Sequence, residues 1–437
     1  MRFPEGFLWG VATSSYQIEG GVDLDGRVPS IWDTFCEQPG RVRNGDDGRV
    51  AADHRRRWAE DVNLLAERGV GAYRFSVAWP RVQSGGQGLD FYRALVDALL
   101  EVGVEPVVTL YHWDLPQALE DDGGWPVRDT AERFSDYAAV VGAALGDRVR
   151  RWSTVNEPWC AAMLGYASGV HAPGRTEPGA AVAAAHHLLL GHGLAVDALR
   201  ATVRSDAEIA ITVNPYPVVA AGDTEADRDA ARRVDGVANR LWYDPVLLGR
   251  YPDDVLVDFS SVSDLAHIRD GDLEVISRPI DAIGVNYYRR HHVRFAAGAS
   301  RVSTWPGSAD VEPVDPGAPK TASGWAIEPE GLLETLLRLS RDYDPPPVYV
   351  HENGAAFDSA LHDDDRIAFL RDHVRAAADA LDAGVDLRGF FVWSLLDNFE
   401  WAEGYSKRFG LVLVDFESQR RIPKASFSWY RELVTKS

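Results

Sequence analysis

The chain has 437 residues, 46% of them hydrophobic and 25% charged, which excludes disorder over most of its length and any collagen-like or low-complexity character. Acids outnumber bases for a formal charge of −21. An acidic surface repels phosphate backbones and anionic lipid, so neither nucleic acid nor a membrane surface is an expected partner.

The N-terminus, MRFPEGFLWG, lacks the continuous apolar stretch of a signal peptide, and no run of about 18 apolar residues is evident, so no transmembrane helix and a cytoplasmic location are expected. Cys36 and Cys160 allow at most one disulfide. Apolar runs rich in β-branched residues predict strands over Phe7–Thr13, Ala72–Val77, Val104–Tyr111, Val149–Asn156, Glu208–Asn214, Ile280–Tyr288, Pro347–Asn353 and Leu387–Ser394. Most are nearly continuous rather than alternating, as strands buried on both faces should be. Segments of helical period lie between them. His54–Gly69 sets Trp58, Val62, Leu65 and Ala66 on one face and ends at a capping Gly69. Leu89–Gly103, Glu132–Gly146, AAVAAAHHLLLGHGLAVDALRAT and IAFLRDHVRAAADALDAG behave the same way.

Strand alternating with helix eight times predicts a parallel sheet closed as a (β/α)8 TIM barrel, a single domain over residues 1–437. An open doubly wound sheet is the alternative, but no GxGxxG follows a first strand. Gly21–Asp53 and Arg289–Gly324 read as long loops, which in a compact domain are either walls of a binding site or surface excursions.

Polar and aromatic residues cluster at the C-terminal ends of the predicted strands. Gln17 and Glu19 follow the first, Arg74 lies in the second, and His112, Trp113 and Asp114 follow the third. Asn156 and Glu157 close the fourth, Asn286 and Tyr288 the sixth, Glu352 and Asn353 the seventh, and Trp393 the eighth. In a barrel these ends share one face, where barrel active sites lie. Glu157 and Glu352 are then two carboxyls facing across one mouth, which is what glycosidic cleavage needs: one acid for the leaving oxygen and one carboxylate for the anomeric centre. Taken singly, such a Glu is more often half of a buried ion pair than catalytic. Together with Asn156, His112 and Arg74 they point to catalysis.

At these residues the sequence resembles glycoside hydrolase family 1, the β-glucosidase family, over essentially its whole length. FLWGVATSSYQIEGG resembles the family's N-terminal signature, and YHWDLPQAL, TVNEPWC and GVNYY its internal motifs. VHENG resembles its nucleophile motif, and WSLLDNFEWAEGYSKRFGL its C-terminal signature. The resemblance implies a single (β/α)8 barrel and a retaining β-glycosidase without cofactor or metal. It makes Glu157 the acid/base and Glu352 the nucleophile, with carboxyls about 5–5.5 Å apart. Glu rather than Gln at 157 implies an O-glycosidase rather than a plant-type thioglucosidase.

Gln17, His112, Asn156, Tyr288, Trp393, Glu400 and Trp401 resemble the family's sugar-binding residues, with Arg74 and Asn286 as catalytic support. Arg74 is expected to lower the pKa of Glu352, while burial and Glu352 itself raise that of Glu157. A carboxylate at Glu400 would repel phosphate, which implies a non-phosphorylated sugar. Trp159, His171, Trp325 and Phe409 resemble residues of the leaving-group side. His186, His187 and His192 lack the spacing of a HExxH site and read as helix-face residues, and Cys160 as a buried thiol. The expected substrates are β-D-glucosides, with β-galactosides or β-fucosides, drawn from oligosaccharides of cellulose and other polysaccharide degradation or from aryl and alkyl glycosides. The alternatives are an endo-glycosidase attacking polymers and a non-catalytic sugar-binding barrel.

Overall fold

The computed structural model describes residues 2–83, 86–299, 303–359 and 361–436. Eight parallel strands close into a barrel: β1 (Leu8–Ala12), β2 (Ala72–Ser76), β3 (Glu105–Tyr111), β4 (Arg151–Asn156), β5 (Glu208–Val213), β6 (Ala282–Asn286), β7 (Val348–Asn353) and β8 (Leu387–Trp393). Each pairs with its chain neighbours, and β1 closes the ring against β8. Almost every strand residue is buried, because the barrel interior takes one face and the helix layer the other. Small and aromatic side chains including Ala72, Val107, Ala210, Ala282, Tyr349 and Phe391 fill the inside. A larger apolar core lies outside the sheet, beneath the helices. Arg151 closes the N-terminal end by pairing with Glu105 and Glu208.

The register is irregular where it matters. On β7 the pairing slips between Val350 and Glu352 against β6 and between Val350 and Asn353 against β8, and β4 slips against β5 between Ser153 and Asn156. Bulges of this kind re-aim side chains at barrel rims. They fall at the ends that carry Glu157 and Glu352.

Three sequence expectations are corrected. Helix His54–Glu67 buries His54, Asp61, Val62 and Leu65, with Trp58 partly covered and Ala66 exposed. Asp61 joins the buried face because Arg421 and His54 bind it. One helix, Pro178–Thr202, is long and apolar enough to cross a membrane by composition, but its apolar window is mostly buried inside the molecule. The histidines on that helix lie on its buried face. His186 bonds Tyr251 and Asp272, His187 the Trp125 carbonyl, and His192 the Thr154 hydroxyl.

The two long loops also contain structure. Gly21–Asp53 holds helix Ile31–Cys36, started by a Ser30–Asp33 capping box. Arg289–Gly324 contributes strands His291–Phe295 and Val311–Pro313 to a small sheet with Val218–Ala220. Residues 300–302 of this stretch lie outside the described residues.

Candidate active site

The C-terminal ends of the strands surround a cavity of about 520 Å³. Of the fifteen residues given site roles from sequence, eleven line it: His112, Glu157, Trp159, His171, Tyr288, Trp325, Glu352, Trp393, Glu400, Trp401 and Phe409; Trp113 lines it too. The other four, Gln17, Arg74, Asn156 and Asn286, stand behind that wall, almost wholly buried.

Glu352 ends β7 with both oxygens occupied. Arg74 Nη1 donates to Oε1 at 2.5 Å and the Tyr288 hydroxyl to Oε2 at 2.7 Å. Glu157 receives only uncharged donors, the Asn286 amide on Oε1 at 2.6 Å and the Cys160 thiol on Oε2 at 3.0 Å. Burial raises both carboxyls, and for Glu157 the charge of Glu352 adds to it. On Glu352 the expected downward pull of Arg74 is present, but burial outweighs it. The ordering is what matters chemically. Arg74 is a wholly buried cation, and Glu352 is its paired acid, so a neutral Glu352 would strand that charge. The shared proton therefore resides on Glu157.

Behind this pair lies a network. Asn156 Oδ1 accepts from Arg74 at 2.6 Å and Asn286 at 3.1 Å, which directs its amide nitrogen to His112 Nε2 at 3.2 Å. His112 Nε2 is thus the acceptor and the proton sits on Nδ1, which is buried without a protein partner. Burial and Arg74 push this histidine well below its ordinary range, so the ring is a neutral donor. Its ring lies nearly parallel to those of Trp393 and Trp401, 5.8 and 6.0 Å away. Gln17 and Asn156, expected to grip sugar hydroxyls, are also tied to other side chains. The Gln17 amide donates to Asn398, to the Phe399 carbonyl and to Glu400 at 3.3 Å, and its oxygen accepts from Ser14. Burial, then the charges of Glu352 and Glu157, push Glu400 up to about 8. Repulsion of phosphate by this carboxyl is accordingly weaker near neutral pH than a carboxylate at this position implies.

Three site residues adopt positive φ without being glycine: Trp113 (74°), Glu157 (47°) and Trp401 (50°). Such conformations cost of order 1 kcal/mol each and persist where the surroundings enforce them. The Glu157 amide donates to Thr212 O on β5 at 2.8 Å, and Trp113 Nε1 donates to Asn156 O at 2.9 Å.

Several lining residues carry no strand-end signal in the sequence, among them Cys160, Tyr216, Arg289, His291 and Trp305. Three of these come from the stretch after Tyr288, so that loop is a wall of the site. No residue of Gly21–Asp53 lines this cavity. The segment supports the wall from behind through Trp32, whose ring lies 4.6 Å from that of Trp401. Glu19 and Asp114 also fall outside the cavity. Glu19 pairs with Arg81 and Asp114 accepts from Ser15. The two cysteines are free.

The family model for glycosyl hydrolase family 1 matches residues 1–437. A bifunctional β-D-glucosidase/β-D-fucosidase of Bifidobacterium breve is 46% identical, covering 99% of this chain and 98% of its own. β-Glucosidase A of Thermotoga maritima is 47% identical, also over 99% and 98%. The crystal structure of a psychrophilic β-glucosidase from Micrococcus antarcticus superposes with a TM-score of 0.96 at 45% identity, over 100% of this chain and 98% of that one.

Proposed function

The chain belongs to glycosyl hydrolase family 1, and from that membership we propose that it removes terminal β-D-glucosyl residues with retention, using Glu352 as nucleophile and Glu157 as acid/base. The observation that carries the assignment of roles is the unequal surroundings of two carboxyls on one cavity: a buried guanidinium on Glu352, neutral donors on Glu157.

In the first step Glu352 attacks the anomeric carbon while Glu157 passes its proton to the departing oxygen, giving a glycosyl ester on Glu352 and a free alcohol. Esterification removes the negative charge of Glu352. Glu157, now ionised, no longer has an anion beside it and takes a proton from water as the water attacks the same carbon. Two inversions restore the β configuration. Arg74 and Tyr288 keep Glu352 aimed, and Asn286 orients Glu157. The unpartnered Nδ1–H of His112 and the carboxyl of Glu400 are the groups left to bind sugar hydroxyls, and Trp393 offers an apolar face to the ring. A cavity of about 520 Å³ suits small oligosaccharides, such as those from cellulose, and aryl glycosides rather than a long polymer. Acceptance of β-fucosides is supported by the named dual activity of the Bifidobacterium breve relative.

The test is hydrolysis of an aryl β-D-glucoside followed by proton NMR from the first minute. β-Glucose appears first, and Glu352→Ala loses at least about a thousandfold in kcat. α-Glucose as the first product would overturn the retaining assignment.

A further inference from the structure

The charges around the cavity do not cancel. Glu352 is compensated by Arg74, and Glu403 by Arg43 at 3.3 Å. Glu157 and Glu400 are raised far enough to be largely neutral near pH 7. Burial pushes the lining histidines His112, His171 and His291 down, so they carry no charge either. What remains among the described lining residues is Arg289. Its guanidinium carbon stands 5.2 Å from the centre of the Trp325 ring, and no acid among the described residues pairs with it. The next residue, Arg290, is held by Glu328, Glu330 and Glu334. A solitary cation is unexpected in a chain with 66 acids and 45 bases.

Arg289 also has a definite side. Its charge acts on Tyr216 and His291. Tyr216 lies 5.5 Å from Trp159 and 4.1 Å from His291, ring to ring, and its hydroxyl accepts from Asn214, which donates as well to Cys160 beside Glu157. Arg289 thus lies over Trp325, which packs on Tyr288, and its charge reaches the side beside Glu157, where the leaving group departs. That side is walled by aromatic rings, including those of Trp159, Tyr216, Trp305 and Trp325. Flat apolar walls select a flat apolar guest, and a planar guanidinium recognises a carboxylate in the same plane by two parallel hydrogen bonds.

We propose that Arg289 makes this enzyme selective for glucosides whose aglycone is an aromatic ring bearing a carboxylate. The inference rests on the β-glucosidase reading of the same cavity and adds its leaving-group class.

The experiment compares kcat/KM for 4-carboxyphenyl and 4-carbamoylphenyl β-D-glucoside in the wild type, Arg289→Gln and Arg289→Lys. Taking the carboxylate-to-amide ratio within each protein cancels the intrinsic reactivity of the two leaving groups. The ratio falls about tenfold in Arg289→Gln, as loss of a partly exposed charge-assisted contact should give, and by less in Arg289→Lys, which keeps the charge but not the planar pair of donors. It also falls for the wild type at molar salt. A ratio in Arg289→Gln within twofold of the wild type overturns the proposal, including the case where both glucosides slow equally because the residue only packs on Trp325. No turnover of either glucoside by the wild type would overturn the glycosidase reading itself, and this inference with it.

Discussion

Cys160 donates its thiol hydrogen to Glu157 Oε2, and Asn214 donates to its sulfur at 3.4 Å. Such a donor stabilises the ionised carboxyl and so restrains the rise that burial imposes on Glu157. Catalysis begins with Glu157 protonated, so kcat/KM falls as pH rises through its pKa. Removing the donor in Cys160→Ala moves that alkaline limb upward by about half a pH unit, and the stronger hydroxyl donor in Cys160→Ser moves it down. The pH profile of kcat/KM on an aryl β-D-glucoside reads both. A limb that stays put in both variants contradicts the role given to the thiol. This contact was invisible in the sequence, where Cys160 is a lone thiol three residues past an acid. The two acids were legible because each stands at the end of an apolar run. The positions of Gln17 and Asn156 behind the wall were not legible, since their partners Asn398, Glu400, Arg74 and Asn286 are distant in the chain.

Between elements, the C-terminal ends of β7 and β8 meet at Gly354. A β-carbon added there would stand 1.8 Å from the Trp393 carbonyl oxygen, a backbone atom that cannot yield without moving the strand end. Gly354 is two residues from Glu352, and Trp393 is part of the same cavity. Displacement of either by about 1 Å costs on the order of a hundredfold in rate. Gly354→Ala therefore lowers kcat by at least about tenfold and lowers the thermal midpoint, measured by turnover and scanning calorimetry. Wild-type kcat in this variant contradicts the close contact. The eight barrel strands were readable to within two residues at either end, because burial on both faces leaves an uninterrupted apolar run. Val218–Ala220, Val311–Pro313 and the hairpin Val412–Asp415 with Arg420–Pro423 were not, being three or four residues long and only partly covered. The buried face of helix His54–Glu67 departs from the apolar periodicity for a different reason. Asp61 is buried by Arg421, a partner that periodicity cannot reveal.

Across the whole molecule, that pair ties the two ends of the chain. Arg421 and Asp61 are each about 1% exposed, bonded at 2.8 Å, and His54 adds a bond at 2.7 Å to the other oxygen. Burial alone would raise Asp61, but the bonds from His54 and Arg421 more than offset it and hold the carboxyl below its ordinary value. A depressed folded pKa gives stability that is present above the unfolded value near 4 and disappears as pH falls through the folded one. Arg421→Met leaves the acid buried without its cation and costs about 3 kcal/mol at neutral pH. Its thermal midpoint is well below that of the wild type at pH 7, and the gap narrows below about pH 4. A gap that persists unchanged into acid contradicts the ionic account.

The division of labour between the two glutamates is tested most directly by trapping the intermediate. The protein is incubated with a 2-deoxy-2-fluoro-β-D-glucosyl donor carrying a good leaving group, which slows release of the sugar from the enzyme, and the labelled peptide is sequenced by mass spectrometry. One sugar per chain is expected, attached to Glu352 within Val348–Asn353. A stable adduct on Glu157 or Glu400, or turnover with no covalent species at any time, would contradict it.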